Sequence, residues 1–470
     1  MGYGHQRAIH PFRDVAYERV IDANQDVVVS GSEMKQWRRF QQGYETVSRL
    51  GGLPGVGRML WELYDSFQRI AKRYPMRDLS GPTLVTRGLD ALMRRGFGRS
   101  VVDYILGTQP EMPLLTSFYV PAIAADRAGV ERIFCIVTDT DLHRVWVAQS
   151  PCDSHIIYCA PTIASRRRLL SYGVPEDHIH LTGFPLPEEN VNHVREDLRR
   201  RLSRLDPQRL FYPRLKEVII REVGELQAPN GPVTITFAVG GAGAQKEIGA
   251  KLLASAADEV REGRLRINLI AGIRSEVADY FEACIRETQL EDQRGNGVRI
   301  LLEPDKASYF DRFNEWLRET DILWTKPSEL VFYAALGIPL VMSEPLGAHE
   351  EYNREWIREM GAGFIQEEPR YAVEWLMERI ACGMLAEAAF DGYQKAPRQG
   401  TENVKKLIFA DDSEMIALDF NEAYSPMQIG TWRRRWVHPC RRKGRRRQGK
   451  KAATKTLVKD ATASKENQEE

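Results

Sequence analysis

A glycine-rich turn follows an apolar strand pattern in the second half of the chain. Gly240-Gly241-Ala242-Gly243-Ala244-Gln245 comes directly after Val233–Val239 and precedes a helical pattern from Lys246 to Glu259. Glycines let the backbone approach a ligand closely, and the N-terminus of the following helix offers free N–H groups to a phosphate. The pattern predicts a phosphate site at Gly241, Ala242, Gly243, Ala244 and Gln245. A tight turn without a ligand is the alternative.

Two polar segments follow the next strand patterns. Lys326, Ser328 and Glu329 come after the strand pattern 321–324, and His349, Glu350 and Asn353 come after 338–342. Because the carboxyl ends of parallel strands meet at one edge of a sheet, we expect both segments near the glycine turn. Lys326 and Glu329 suit phosphate and ribose hydroxyls, and the later three residues suit a sugar. Helix capping and a solvated, acidic helix start are the alternatives.

Two candidates for a catalytic base lie in the first half of the chain. His5 follows a glycine turn at the very start, and Asp139 follows the apolar strand pattern 133–137. A histidine near neutral pKa, or a carboxylate, can take a proton from an attacking hydroxyl. A purely structural role is the alternative for His5.

Alternating strand and helix patterns surround these residues. Strands are predicted at 101–106, 114–116, 133–137, 155–159 and 178–181, and again at 233–239, 267–270, 298–302, 322–324 and 338–342. Helices are predicted between some of them, for example at 121–129 and 162–172, and beyond them near 371–387 and 401–410. This alternation is typical of α/β folds with a mainly parallel sheet. Since the glycine turn begins at residue 2, we also expect the given start to lack a first strand.

The charge of the chain is unevenly distributed. Residues 426–470 hold 14 Lys/Arg and 4 Asp/Glu, a net charge of +10, whereas the remainder carries −9. We expect this segment to be a disordered basic tail. Its eleven Lys/Arg between 433 and 451, beside Trp432 and Trp436, predict attachment to an anionic membrane surface. Non-specific polyanion binding is the alternative, and no specific nucleic acid is expected.

Cysteine usage and hydropathy predict the compartment. Cys135 and Cys159 lie in apolar strand patterns, where buried free thiols are expected, and such thiols suit a reducing compartment. The first 30 residues lack the apolar core of a signal peptide, and the longest apolar stretch, 330–342, is too short to span a bilayer. We therefore expect a cytoplasmic protein, with peripheral attachment to the inner membrane face as an option.

Taken together, these segments resemble GT-B glycosyltransferases of the peptidoglycan N-acetylglucosaminyltransferase and monogalactosyldiacylglycerol synthase type. The resemblance covers about residues 1–20 and 100–365. It depends on Met1-Gly-Tyr-Gly-His5, Val137-Thr-Asp139, Cys159-Ala-Pro-Thr162, Gly173-Val-Pro175, Leu181-Thr-Gly-Phe-Pro185, the turn Gly240 to Gln245, Thr325-Lys-Pro327 and His349-Glu-Glu-Tyr-Asn353. Two positions depart from the family pattern. Phe332 stands where an acidic ribose ligand is usual, and His349 stands where glutamine is common.

The resemblance implies two Rossmann-like domains with a cleft between them. Residues 1–185 would form the acceptor-side domain, 186–230 connecting helices, 231–425 the nucleotide-sugar-binding domain and 426–470 the tail. The expected donor is a UDP-linked nucleotide-diphosphate sugar, bound as a co-substrate without a metal ion or other cofactor. His5 or Asp139 would deprotonate an acceptor hydroxyl, for which a lipid is one candidate. A catalytically inactive sugar-nucleotide-binding protein and a sugar-nucleotide epimerase are the alternatives.

Overall fold

Two parallel sheets organise the protein. In the computed structural model, residues 3–39, 70–238, 245–345, 347–418 and 420 are described. Within them lie a four-stranded sheet and a six-stranded sheet, both parallel and flanked by helices. The predicted α/β fold class with two Rossmann-like halves is therefore confirmed. The predicted boundaries at 185, 230 and 425 stay predictions, and the basic tail lies outside the described residues.

The first sheet has its strands in chain order. These are β1 (Leu114–Thr116), β2 (Ile133–Ile136), β3 (Ile156–Cys159) and β4 (Ile179–His180). Helices Tyr119–Ala128 and Ile163–Ser171 connect them. Every residue of β2 and β3 is buried, as expected for strands covered on both faces. No strand of the described residues pairs with the outer edge of β1.

The strand order of the second sheet reverses at its centre, although all its strands are parallel. Its strands are β5 (Val233–Ala238), β6 (Leu265–Gly272), β7 (Val298–Leu302), β8 (Ile322–Thr325), β9 (Leu340–Met342) and β10 (Gly363–Ile365), in the order β10-β9-β8-β5-β6-β7. Since β5 pairs with both β6 and β8, the switch point lies at β5, and ligands of such sheets bind outside the carboxyl ends there. Helices Lys246–Ser255, Ala257–Arg261, Ser275–Glu287, Lys306–Glu319 and Ala348–Met360 connect these strands, and residues 329–336 form a 3-10 helix.

The other helices lie before, between and after the sheets. They are Tyr3–Ile9, residues 31–39, Leu84–Arg94, Arg99–Thr108, Glu188–Asn192, Val194–Leu205, Lys216–Val223, Ala372–Ala381, Met384–Lys395, Gly400–Phe409 and Asp412–Ala417. The helix Gly400–Phe409 returns to the first sheet. Thr401 donates to the Leu186 carbonyl (2.6 Å), and Arg132 donates to the Ala410 carbonyl (2.7 Å).

Two local predictions are wrong, and one strand was missed. Residues 101–106 belong to the helix Arg99–Thr108, in which only Val101 and Val102 are buried. A short apolar run fits a half-buried helix as well as a strand, and Gly98, at φ 81°, ends the preceding turn and begins this helix. The expected glycine turn at His5 is the helix Tyr3–Ile9. The strand β10, which begins at a glycine and is only half-buried, was not predicted.

The expected buried thiols are present. Cys135 and Cys159 are buried free thiols. Within the ranges described, no helix combines the length and apolar character needed to cross a membrane.

A buried histidine ends the first sheet. His180 is the last residue of β4, pairs in register with Cys159, and its Nε2 atom has no hydrogen-bond partner. Burial, with a smaller effect from His178, lowers the pKa of His180 to about 4. The folded protein therefore holds this ring neutral at a pH where the unfolded chain protonates it.

We expect His180→Leu to make folding less sensitive to acid. The unfolded chain binds this proton with a pKa of about 6.5, so the native protein loses stability as the pH falls below that value. The loss between pH 7 and pH 5 is about 2 kcal/mol for this group. Urea unfolding of both proteins at the two pH values measures it. An equal loss in the variant would contradict this role for His180.

Candidate functional site

The first helix places His5 against the carboxyl edge of the first sheet. Ser117 follows β1 directly, and its carbonyl is 2.8 Å from His5 Nδ1. The Ser117 hydroxyl donates back to the His5 carbonyl at 2.6 Å. Thr138, which follows β2, lies 3.4 Å from the same ring nitrogen. His5 therefore lies at the carboxyl edge of the first sheet, where a helix rather than the expected glycine turn holds it.

The hydrogen bond to Ser117 assigns the tautomer of neutral His5. A carbonyl only accepts, so Nδ1 carries the proton and Nε2 keeps its lone pair. Burial lowers the pKa of His5, while Asp139, the Ser117 bond and Glu329 oppose that shift. The ring is thus neutral near pH 7 and can accept a proton at Nε2. This is the arrangement that a general base requires.

Arg7 extends from the opposite side of the same helix. Two residues along a helix turn the side chain by about 200°, so Arg7 points at the second half of the chain. Its side chain is 5% exposed, lies over the rings of Phe310 and Phe313 and donates to the Tyr309 hydroxyl at 3.0 Å. Burial alone would lower the pKa of Arg7, but Tyr333, Tyr309 and Glu329 together raise it. The guanidinium is a permanently charged anchor.

Glu329, a predicted ribose ligand, lies in this contact. It begins the 3-10 helix after β8, and its Oε1 is 3.6 Å from Arg7 Nε. Gly4 packs so closely that a Cβ there would come within 2.8 Å of Glu329 Oε2. The position where an acid is usual, Phe332, is buried and stacked on Phe184 at 4.2 Å. The first helix and this carboxylate therefore join the two halves of the cleft.

The predicted sugar and phosphate ligands of β8 and β9 do meet. Lys326 forms an ion pair with Glu350, which is 2% exposed, and His349 Nε2 is 4.0 Å from the same carboxylate. His349 is 42% exposed. Ser328 precedes the 3-10 helix but makes no side-chain capping bond. The structure thus brings Lys326, His349 and Glu350 together at the carboxyl edge of the second sheet.

Gln245 connects the predicted phosphate loop to the end of β9. It adopts a left-handed conformation, at φ 68°, immediately before the helix Lys246–Ser255. Its Oε1 accepts from the Ser343 hydroxyl at 2.7 Å, and its Nε2 donates to the Glu344 carbonyl at 3.0 Å. Gly241, Ala242, Gly243 and Ala244 lie outside the described residues, so their role stays a prediction.

Asn353 crosses to the first sheet. Its Oδ1 accepts from the Thr140 backbone N–H and hydroxyl, both at 2.9 Å, and its Nδ2 donates to Asp139 Oδ1 at 3.0 Å and to the Pro327 carbonyl at 3.1 Å. The residue is fully buried. The predicted base Asp139 is therefore bonded to a predicted sugar ligand of the other half.

Several site residues were not predicted from the sequence. Ser117 follows a strand that was predicted correctly, so the rule that ligands bind at the carboxyl ends of strands would have identified it. No local signal marks Arg7, because its partners Tyr309 and Tyr333 are some 300 positions away. In the described part of the chain, no group of three His, Cys, Asp or Glu side chains is placed to hold a metal ion. Independence from metal stays a prediction.

Comparison with known families gives one partial match. A family model described as a domain of unknown function, DUF6938, matches residues 276–381. The matched segment runs from the helix Ser275–Glu287 to the helix Ala372–Ala381 and includes Lys326, His349, Glu350 and Asn353.

Curated relatives carry enzyme names. The chain is 23% identical over 283 residues to a processive diacylglycerol beta-glucosyltransferase of Staphylococcus carnosus. The aligned region covers 59% of this chain and 61% of that protein. A protein of the same name from Bacillus subtilis is 22% identical to this chain. The aligned region covers 67% of this chain and 68% of that protein. The chain thus spans under two thirds of the Staphylococcus relative. These matches confirm the resemblance to glycosyltransferases of this type.

Solved structures resemble the chain more distantly. The alignment with the Staphylococcus aureus MnaA–UDP structure covers 78% of this chain and 88% of that chain, at 12% identity and a TM-score of 0.43. Acinetobacter baumannii MurG covers 68% and 78% at 17% identity and a TM-score of 0.41. At these scores neither structure adds to the fold described above.

We expect His5 to titrate below its ordinary pKa of about 6.5, and Asp139→Asn to lower that pKa further. Burial disfavours the charged ring, and removing the Asp139 charge removes the main group that stabilises it. NMR titration of the histidine ring protons measures both values, with His5→Gln assigning the signal. A pKa of His5 above 6.5, or one that rises in Asp139→Asn, would refute this account of the site.

Proposed function

We propose that this chain is a glycosyltransferase that moves a sugar from a UDP-sugar to a lipid hydroxyl. The observation that carries the proposal is the meeting of two sheet edges. One edge presents His5 with a free Nε2 lone pair, and the other presents Lys326, His349 and Glu350 beside the end of the phosphate loop. The names of the relatives support the same chemistry and favour glucose as the sugar and diacylglycerol as the acceptor class.

The first step of the proposed reaction is proton removal by His5. Nε2 takes the proton of the acceptor hydroxyl as its oxygen attacks the anomeric carbon of the donor sugar. Asp139 stabilises the imidazolium that forms, because its charge raises the pKa of His5. The bond between the anomeric carbon and the diphosphate breaks as the new glycosidic bond forms.

The diphosphate leaves toward the second sheet. The N-terminus of the helix Lys246–Ser255 carries partial positive charge, and Gln245 fixes the end of the loop that precedes it. Lys326 adds a cation close to the same edge. We propose that these groups stabilise the leaving group without a metal ion or other cofactor.

The surroundings of His5 suit an acceptor with an apolar body. The Phe118 ring centroid is 4.7 Å from that of His5, and Trp146 is 6.0 Å away. Tyr119 packs on Trp146 at 5.4 Å. Phe118 and Tyr119 are half-buried. We propose that these rings contact the lipid near its reacting hydroxyl.

A lipid acceptor requires access to a membrane. We propose a cytoplasmic protein that binds the inner membrane face through the basic segment 433–451, which begins beside Trp432 and Trp436. This segment lies outside the described residues, and the proposal depends on its composition.

We expect UDP and UDP-glucose to raise the melting temperature of the protein, and Gly243→Val to abolish the rise. A ligand that binds only the folded state stabilises it by mass action, and a valine would block close approach of the loop backbone. Differential scanning fluorimetry measures the shift. The matched control is Gly88→Val, on an exposed helix face where a Cβ meets nothing within 4 Å.

Product analysis then separates the candidate activities. Glucosylated diacylglycerol is the expected product from UDP-glucose and diacylglycerol. Donor binding without any product would indicate an inactive binding protein, and an epimerised sugar would indicate an epimerase. A UDP-induced rise in melting temperature of normal size in Gly243→Val would show that the loop is not part of the donor site.

We expect liposomes with anionic lipid to sediment the full chain but not a chain that ends at residue 430. Each basic residue near an anionic leaflet contributes about 1 kcal/mol, and the shorter chain lacks all eleven of this segment. Neutral liposomes are the control for charge. Equal sedimentation of the two chains on anionic liposomes would exclude the tail as the anchor.

A further inference from the structure

We propose that Asn353 is a positioning residue that holds Asp139 in place across the cleft, and that it is not a ligand of the donor sugar. The proposal rests on the function proposed above, since Asp139 there assists His5. The sequence pattern places Asn353 with the sugar ligands His349 and Glu350. Its hydrogen bonds point instead to the first half of the chain.

The amide of Asn353 has no capacity left for a sugar. An asparagine side chain offers two N–H donors and two oxygen lone pairs. The two donors go to Asp139 and the Pro327 carbonyl, and both lone pairs accept from Thr140. The side chain is 0% exposed. A sugar hydroxyl would have to displace one of these bonds and leave a buried polar group unpaired, which is unfavourable.

The helix that carries Asn353 contacts the first half at more than one point. The Arg73 guanidinium lies over the Tyr352 ring at 5.2 Å and 3.9 Å from Glu359. Arg73 also donates to Asp141 at 3.2 Å, two residues beyond Asp139. Positions 352 and 359 are two helical turns apart and lie on one face of the helix. The helix Ala348–Met360 thus packs against the segment that contains Asp139 and Asp141.

This docking connects the two ends of the site. The helix begins with Ala348, next to His349 and Glu350 at the donor edge, and one turn later Asn353 fixes Asp139 Oδ1. Movement of the helix toward or away from a bound sugar would therefore move the carboxylate that supports His5. Asn353 acts on the reaction through Asp139, without touching the substrate.

Thr140→Val provides the sharpest test. Thr140 is fully buried and belongs to the first half, so it cannot touch a sugar, yet its hydroxyl donates to Asn353. We compare Asn353→Ala, Thr140→Val and the double variant with Asn268→Ala. Asn268 is a buried asparagine whose amide bonds Thr236 and Arg299 within the second sheet, so it controls for loss of a buried amide.

The expected result is a split between kcat and donor affinity. With UDP-glucose and diacylglycerol, kcat falls roughly ten- to a hundredfold in Asn353→Ala because a supporting group is misplaced, and it falls in Thr140→Val as well. KM for UDP-glucose, and the ratio of the Kd values for UDP and UDP-glucose, stay close to wild type. The melting-temperature losses of the two single variants add to more than the loss in the double variant. Asn268→Ala lowers the melting temperature alone.

Opposite results overturn the proposal. If Asn353 bound the donor sugar, Asn353→Ala would erase the difference in Kd between UDP and UDP-glucose, and Thr140→Val would leave kcat unchanged. Additive melting-temperature losses would show that Asn353 and Thr140 are not coupled, and they too would refute the proposal. If the wild-type chain bound neither nucleotide, the proposed function would fail, and the melting-temperature comparison would still decide whether Asn353 joins the two halves.

Discussion

The burial of one cation by residues far from it in sequence joins the two halves of the chain. Removing a guanidinium from water is unfavourable unless nearby groups compensate its charge. Arg7 meets that condition only in the second half, among Tyr309, Tyr333, Glu329 and two phenylalanine rings. The same short helix holds His5 against the first sheet. The helix Tyr3–Ile9 therefore contacts both halves of the chain through side chains on its two sides.

Much of the architecture was accessible from the sequence because it depends on local patterns. The bounds of β1 and β7 match their predicted ranges to the residue, since turn residues flank both apolar runs. The rule that polar residues gather at the carboxyl ends of parallel strands agrees with the positions of Asp139 after β2 and Lys326 after β8. The same rule applied to β1 would have added Ser117.

Other features could not be predicted because they depend on partners distant in the chain. Asn353 carries the sequence signature of a sugar ligand, and only the approach of Asp139, 214 positions earlier, gives it other partners. The helix Tyr3–Ile9 contains two residues of low helix propensity among its first three, Tyr3 and Gly4. Contacts on both of its sides override that preference. At 101–106 the pattern was ambiguous, and tertiary burial of one face decided for a helix.

The return of the helix Gly400–Phe409 to the first sheet has a consequence for dissecting the protein. The half built on the first sheet is not continuous in sequence, because its surface is completed by residues that follow the second sheet. A fragment ending near residue 230 would expose the carbonyls of Thr182 and Leu186 and leave Arg132 without its acceptors. Unpaired polar groups on a newly exposed apolar surface favour aggregation of such a fragment. The halves should be produced together, as one polypeptide or as two co-expressed pieces that reassemble around this helix.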